Sequence, residues 1–573
     1  MTTFRLLALS LLLTLTACAQ PEPPEPAAID EEIPAQTVSA LDTLMDAYDV
    51  PGLYPSRMEQ AEAEAWADSV LATLSLDDKA GQVILANLPS SGGVDGIVEN
   101  ARGLIERTGV TGFLVGRLLP PDEVFEVTRQ LQQAQIDAGR PPLFFAADYE
   151  RGVGRFSNAF TELPSNMAIG ATRDPAYAAA AGRLSAMESR AVGVRLLFAP
   201  VADVNNNPGN PIINIRSYGE RPELVGEMVT AYVQAAEAAG VATTLKHFPG
   251  HGNTTTDTHS RMATVDGDRA QLDAIELRPF RETFAAASPT AVMTAHLWVP
   301  GLDDVERPAT FSPVVLTDLL RGELGFDGFV VTDDVRMGGL ANDFDLAQRV
   351  TQPLAAGADM ILTPRDVDAA ARAITQSIDA GDLAADRLDE AARRILVAKA
   401  RLGLSRDAVP TQEAFDYVNT RPLGQRVADA IARDAATVVR SSDALPLASG
   451  TRVLALHLSN YTGSESIEAA VAELDAQLES DEPLPRQPRL AHRPRPLRRA
   501  LGRRRCGRDR PLPPPRQRTR KRRTASRSGR TSPGCPRLRQ AGRLACVRQP
   551  VLGPRLPRRR RQSHLLRSDG GFG

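Results

Sequence analysis

Eight short apolar runs, separated by longer amphipathic stretches, limit what this chain can fold into more than any other feature. They fall at residues 83–88, 110–116, 143–147, 194–199, 242–245, 291–295, 329–332 and 360–363. Each is apolar at successive positions, so both of its faces need cover. Strands of a parallel sheet have that cover, and strands of a one-sided antiparallel sheet do not. The intervening segments, such as 224–239 and 313–322, are long enough to be crossover helices. Eight strand–helix units predict an α/β fold of the (β/α)8 TIM-type barrel, while periodicity by itself leaves a doubly wound open sheet as the alternative.

The residues that follow the runs favour the barrel. Asp148 follows the third, Asp203 the fourth, Lys246-His247 the fifth, His296 the sixth and Asp333 the seventh. A single polar residue in such a place is readily a helix cap. Five consecutive strands ending this way describe a pocket, because barrel enzymes build their sites from the C-terminal ends of the strands.

Composition matters mainly for its division. The formal net charge of −3 over 573 residues averages two unlike parts. Residues 486–573 hold 28 Arg and one Lys against Asp509 and Asp569, leaving 38 basic and 68 acidic residues in the first 485. Of the four cysteines only Cys18 precedes the basic tail, so the main body has neither a disulfide framework nor a cysteine metal site.

At the N-terminus Arg5 precedes an apolar run at 6–15, too short to span a bilayer and suited to a secretory signal. Leu15-Thr16-Ala17-Cys18 resembles the bacterial lipoprotein box, which implies a signal peptide over 1–17 and lipidation of Cys18, with an ordinary cleaved signal as the alternative. The expected product is an exported protein anchored to a membrane. Residues 18–65 read as a linker and first helix, with a stiff Pro-rich tether at 21–34. The barrel is expected over 66–405, closed by a helix at 393–404. Residues 406–483 then supply a connector helix at 426–439 and the opening strand (451–458) and helix (466–478) of a second α/β domain that stops short. The tail, 484–573, is expected to be disordered. It has two readings: a basic nucleic-acid-binding arm, or a GC-rich gene read out of frame. The second is preferred, because the α/β pattern ends abruptly, acids almost vanish and Phe572 is the tail's only aromatic. No nucleic-acid partner is expected.

The segment Lys246-His247-Phe248-Pro249-Gly250-His251-Gly252 leaves a strand and turns at Pro249 and the glycines, giving a loop able to move over a pocket. Further along it, Asp257 stands two residues before His259. A carboxylate beside an imidazole fixes its tautomer and stabilises its protonated form, which makes a general acid/base near neutral pH. The alternative is a metal site of His247, His251, Asp257 and His259; helical metal-ligand spacing is absent and Pro and Gly interrupt the segment.

Lys246 to His259 resembles the signature of glycoside hydrolase family 3, in its branch of bacterial N-acetyl-β-glucosaminidases: KHFPGHG followed by a D-x-H dyad on a mobile loop. Further segments match in the same order. Asp148-Tyr149-Glu150-Arg151-Gly152-Val153-Gly154-Arg155 is similar to the family's D-x-E-x-G-x-G, although Tyr149-Glu150-Arg151 stands where many members have Gln-Glu-Gly-Gly. Arg216-Ser217-Tyr218-Gly219 is similar to R-S-[FY]-G, Val292-Met293-Thr294-Ala295-His296 to V-M-T-A-H, and 325–334 to the nucleophile segment. The resemblance covers roughly 65–480. It implies that Asp333 is the nucleophile and His259 the acid/base, oriented by Asp257. It implies that Asp148, Arg216, Lys246 and His247, with Arg155 and His296, hold the sugar. Adjacent side chains on a strand point to opposite faces, so Asp334 is left a structural role.

The implied reaction is hydrolysis of terminal β-linked N-acetylglucosamine from cell-wall or chitin-derived glycans, exo-acting and with retention. Another β-glycosidase activity of the same family, or a phosphorylase in which phosphate replaces water, is the alternative. A non-catalytic sugar-binding lipoprotein is a third, though it would not need Asp333, Asp257 and His259 together. The partners implied are a glycan and a lipid membrane; no metal or organic cofactor is implied.

Overall fold

All eight apolar runs become strands, and all eight are parallel. A computed structural model of the chain describes residues 57–116, 119–156, 160–419 and 423–437. The expected anchor at Cys18, the signal and tether, the strand and helix at 451–478 and the arginine-rich tail lie outside the described residues. In chain order the strands are β1 (Ile84–Asn87), β2 (Gly112–Leu114), β3 (Phe144–Ala147), β4 (Leu196–Leu197), β5 (Ala242–Phe248), β6 (Ala291–Thr294), β7 (Phe329–Thr332) and β8 (Ile361–Leu362). Their order in the sheet is β8-β1-β2-β3-β4-β5-β6-β7, and a parallel bridge between Val331 and Met360 joins β7 back to β8. The sheet therefore closes, which sets aside the open doubly wound alternative.

Closure explains the sequence pattern. Six of the eight strands are buried along their whole length, and β1 and β2 at all but their last residue, with the inner residues packing on one another and the outer ones on helices. Phe144 lies 6.0 Å from Phe329 and Phe113 lies 6.2 Å from Phe145, ring centre to ring centre, so aromatic side chains fill much of the core. Several surrounding helices start on acidic or hydroxyl caps: Ser75 and Asp345 form reciprocal capping boxes, and Asp366 accepts from Ala369. The helix expected at 224–239 is present as Pro222–Ala238. That expected at 313–322 is a wide π-helix, Val314–Glu323, with Leu324 N–H donating to the carbonyl five residues back.

β5 runs three residues beyond its apolar signal, through Phe248, and all seven of its residues are buried. The apolar pattern ends at Leu245 because Lys246 and His247 are polar. The strand continues because both find buried partners.

The N-terminal end of the barrel is sealed by charge. Asp359, fully buried just before β8, accepts hydrogen bonds from Arg321, Arg387 and Arg394 and from the backbone N–H of Val330. Lys399, also fully buried, donates to Gln82 Oε1 and the Thr111 carbonyl and lies 5.6 Å from the centre of the Phe144 ring. The helix that carries Lys399, Ala385–Arg401, packs against Gln60–Leu71. The helix expected at 426–439 is seen as Leu423–Asp434, and with Gln412–Asn419 it folds back on the helix Pro175–Ala191. Phe415 anchors this return, 4.9 Å from Phe125.

Candidate active site

The polar residues after β3, β5 and β7 converge at the C-terminal end of the barrel. Lys246, near the end of β5, is buried, and its ammonium donates to Asp148 Oδ1 at 3.0 Å and Glu150 Oε1 at 2.7 Å. Asp148 and Glu150 are two residues apart on the exit from β3, so an extended backbone turns both to the same side. Glu150 also receives a fork from Arg216, Nε to Oε2 at 2.9 Å and one terminal nitrogen to Oε1 at 2.8 Å. The result is a chain of alternating charge, Asp148, Lys246, Glu150, Arg216, lying across the mouth of the barrel.

His247 extends this chain inward. Its Nδ1 lies 2.7 Å from Asp203 Oδ2, and its backbone N–H donates to Asp203 Oδ1. Arg216 approaches its Nε2 at 3.4 Å. Because Arg216 can only donate and ionised Asp203 can only accept, a neutral His247 carries its proton on Nδ1. Asp203, fully buried after β4, also accepts from the backbone N–H of His251 at 2.7 Å. Burial raises the Asp203 pKa, but His247 and His251 outweigh it and hold the carboxyl below its usual range.

Asp203 thus ties down the first half of the expected mobile loop. His251 is buried and bonded through Nδ1 to Thr254 and through Nε2 to Thr258. A Cβ on Gly252 would stand 1.7 Å from the Val204 carbonyl oxygen, so only glycine lets the chain pass there. The first half of the loop is therefore anchored to the barrel. The alternative metal set is also dispersed, since Thr254 and Thr258 occupy both ring nitrogens of His251. Among the described residues no group of three or more His, Cys, Asp or Glu is placed to hold a metal ion.

Asp257 and His259 form the expected dyad. Asp257 Oδ1 accepts from the backbone N–H of His259 at 2.9 Å and lies 2.8 Å from its Nδ1, leaving Nε2 directed outward. The imidazole is 62% exposed. Burial raises the Asp257 pKa, but the hydrogen bonds from His259 and the nearby imidazoles together outweigh it and keep the carboxyl low.

Asp333 immediately follows β7, its backbone N–H bonded to the Thr294 carbonyl and its Oδ1 accepting from the Asp334 N–H at 2.8 Å. Burial pushes its pKa up; the nearby His247 and His296, the Asp334 N–H and the Lys246 ammonium overcome this and hold it below the usual aspartate range. Asp333 is therefore ionised at neutral pH, as an attacking carboxylate must be. Asp334 turns away and grips Arg336, in keeping with a structural role.

His296 differs from its sequence expectation as a sugar ligand. It is fully buried, with Nδ1 bonded to Thr310 Oγ1 at 2.8 Å and Nε2 to the Asp334 carbonyl at 3.1 Å, so no ring nitrogen is free for a hydroxyl. It fixes the backbone beside Asp333 instead. Arg155 lies on the turn Val153–Phe156, and its side chain falls outside the described residues.

The sequence places Asp203 among the strand-end residues without giving it a role, and it gives none to Glu150. The signal for Glu150 was its spacing of two from Asp148 at a strand exit; for Asp203 it was an acid set in the buried segment 198–204.

Comparison with known proteins agrees with the barrel fold. The family described as "Glycosyl hydrolase family 3 N terminal domain" matches residues 75–398. A beta-hexosaminidase A of Pseudoalteromonas piscicida is 34% identical over 375 residues, which are 61% of this chain and 62% of that protein, so the chain spans under two thirds of this relative's length. Among solved structures, a glycoside hydrolase family 3 beta-N-acetylglucosaminidase from Paenibacillus sp. str. FPU-7 has 37% identity and a TM-score of 0.56, over 62% of this chain and 69% of its own. A beta-glucoside phosphorylase has 28% identity and a TM-score of 0.62, over 69% and 71%.

Proposed function

Because the chain belongs to glycosyl hydrolase family 3, we propose that it is a retaining, exo-acting β-N-acetylglucosaminidase. The observation that carries this reading is the pairing of an ionised, half-buried Asp333 with an exposed Asp257–His259 dyad on the same rim of the barrel. Asp333 attacks the anomeric carbon while His259, its Nδ1–H held by Asp257, delivers a proton from Nε2 to the departing oxygen. An ester between Asp333 and the sugar results. His259 then takes a proton from water, which attacks the anomeric carbon and releases the sugar with its original configuration. Asp148, 40% exposed, keeps carboxylate oxygen for vicinal hydroxyls, and Lys246 and Arg216 supply donors beside it.

The names of the beta-hexosaminidase and beta-N-acetylglucosaminidase relatives support the choice of N-acetylglucosamine. Cell-wall or chitin-derived glycans are the substrates we infer, and export with a lipid anchor at Cys18 is the matching location. Among the described residues no helix is long and apolar enough to cross a membrane.

The test follows an aryl N-acetyl-β-glucosaminide by NMR, and by mass spectrometry with a slow-turnover fluorinated analogue. Release of the β-anomer first, with a sugar adduct on Asp333, is expected; initial α-anomer or an adduct elsewhere overturns the mechanism. A second reading, phosphorolysis, is favoured by one feature: the acid/base is an imidazole, which does not repel an incoming phosphate dianion as a carboxylate would. Adding phosphate to the same assay and looking for the sugar 1-phosphate separates the two.

A further inference from the structure

Asp333 and His259 sit on different connections, one after β7 and the other after β5, yet the reaction needs them in one fixed relation. The imidazole of His259 does not supply that relation, since it is bonded to Asp257 on its own loop and otherwise faces solvent. The backbone around it does. Gly338 N–H donates to the His259 carbonyl at 2.9 Å, and Gly339 N–H donates to the Thr258 carbonyl at 2.9 Å. Asn342 Nδ2 donates to the Ser260 carbonyl at 2.8 Å. Three consecutive carbonyls of the acid/base loop are thus held by the segment that leaves Asp333.

Two of the donors, the N–H groups of Gly338 and Gly339, open a short helix, Gly338–Ala341, within which they have no partner, and the third, Asn342, caps its end. The acid/base loop satisfies them. The contact also demands glycine: a Cβ on Gly338 would stand 2.4 Å from the Ser260 oxygen and 2.8 Å from that of His259, and one on Gly339 would stand 3.1 Å from that of Thr258. Beyond the contact the loop is pinned again, where Ala263–Thr264 pairs with Leu297–Trp298 just after β6. His259 therefore lies between two backbone moorings, of which the first is made by the segment that follows the nucleophile.

We propose that Gly338, Gly339 and Asn342 form a latch through which the segment following the nucleophile sets the position of the general acid/base. They are positioning residues that act through His259, and the inference rests on the roles given above to His259 and Asp333. Its signature is dependence on the leaving group. A nitrophenolate departs with little protonic help, whereas a sugar or alkyl oxygen needs it, and kcat/KM reports that first bond cleavage.

The test compares kcat/KM for a nitrophenyl and an alkyl N-acetyl-β-glucosaminide in Asn342→Ala, Gly338→Ala, His259→Ala, and each latch variant combined with His259→Ala. Asn342→Ala should slow the alkyl glycoside by about five- to tenfold, the worth of one hydrogen bond, and leave the nitrophenyl glycoside nearly unchanged. Gly338→Ala should show the same selectivity more strongly. In the His259→Ala background neither should have a further effect, because there is no acid left to position. Equal losses on both substrates, wild-type rates in both latch variants, or full additivity with His259→Ala would overturn the latch. If His259→Ala itself slows both glycosides equally, the acid/base assignment falls and the latch falls with it, whereas selective loss in His259→Ala alone removes only the latch.

Discussion

At the scale of single residues, the site is organised by carboxylates that need not touch the reacting bond. Glu150 is the clearest. Its own burial opposes ionisation, but Lys246 and Arg216 hold its pKa well below the usual carboxylate range. Replacing it with Gln leaves the shape and removes the charge that both cations share. Glu150→Gln should lower kcat/KM roughly 10- to 100-fold, as expected for losing charged hydrogen bonds, with the far-ultraviolet circular dichroism unchanged. Asp333→Ala should abolish turnover on every glycoside. His259→Ala should lose about 10²- to 10⁴-fold on poor leaving groups and retain slow cleavage of activated aryl glycosides. Full activity in Asp333→Ala would remove the nucleophile assignment.

At the scale of elements, what was legible in the sequence was whatever burial writes as pattern. Parallel strands covered on both faces must be apolar throughout, so all eight could be read without a structure. The extension of β5 through Lys246-His247-Phe248 was not legible, because a polar residue inside a strand is permitted only by partners distant in sequence: Asp148, Glu150 and Asp203. Likewise His296 looked like a ligand by its place at a strand end, and only the position of Thr310 shows that its ring faces inward. The two ends of the strands also serve different purposes. Asp359 at the N-terminal end binds three arginines and takes no part in the pocket. Asp359→Ala leaves those guanidinium groups uncompensated and should cost about 3–5 kcal/mol in urea unfolding. The kcat of the protein that remains folded should be unchanged, whereas a selective loss of kcat would tie this network to catalysis.

At the scale of the molecule, the return of the helices Gln412–Asn419 and Leu423–Asp434 along the barrel covers a buried carboxyl. Glu188, on the helix Pro175–Ala191, accepts from the Thr161 N–H and lies beneath Gly424 of the returning helix. Burial pushes its pKa up to about 8. A carboxyl raised in the folded state binds more protons there than when unfolded. Its contribution is therefore fully present below the unfolded value of about 4.3 and is lost as pH rises to about 8. Glu188→Gln should remove that loss. The difference in melting temperature between variant and parent should grow between pH 5 and pH 8 in favour of the variant; a constant difference would place the proton elsewhere.

The alternating chain across the barrel mouth also acts at a distance. Around the pocket the carboxylates of Asp148, Glu150, Asp203, Asp257 and Asp333 outnumber the fixed cations Lys246 and Arg216, which pair with Asp148 and Glu150, while Asp203 and Asp257 pair with the imidazoles of His247 and His259. An excess of carboxylate of this kind favours positive charge in the pocket. A sugar ring that becomes positively charged as its bond breaks is stabilised by that excess, whereas the neutral ground-state sugar gains little from it. A protonated imino-sugar should accordingly bind more tightly than its neutral ring-oxygen counterpart, and added salt should narrow the gap by screening that attraction.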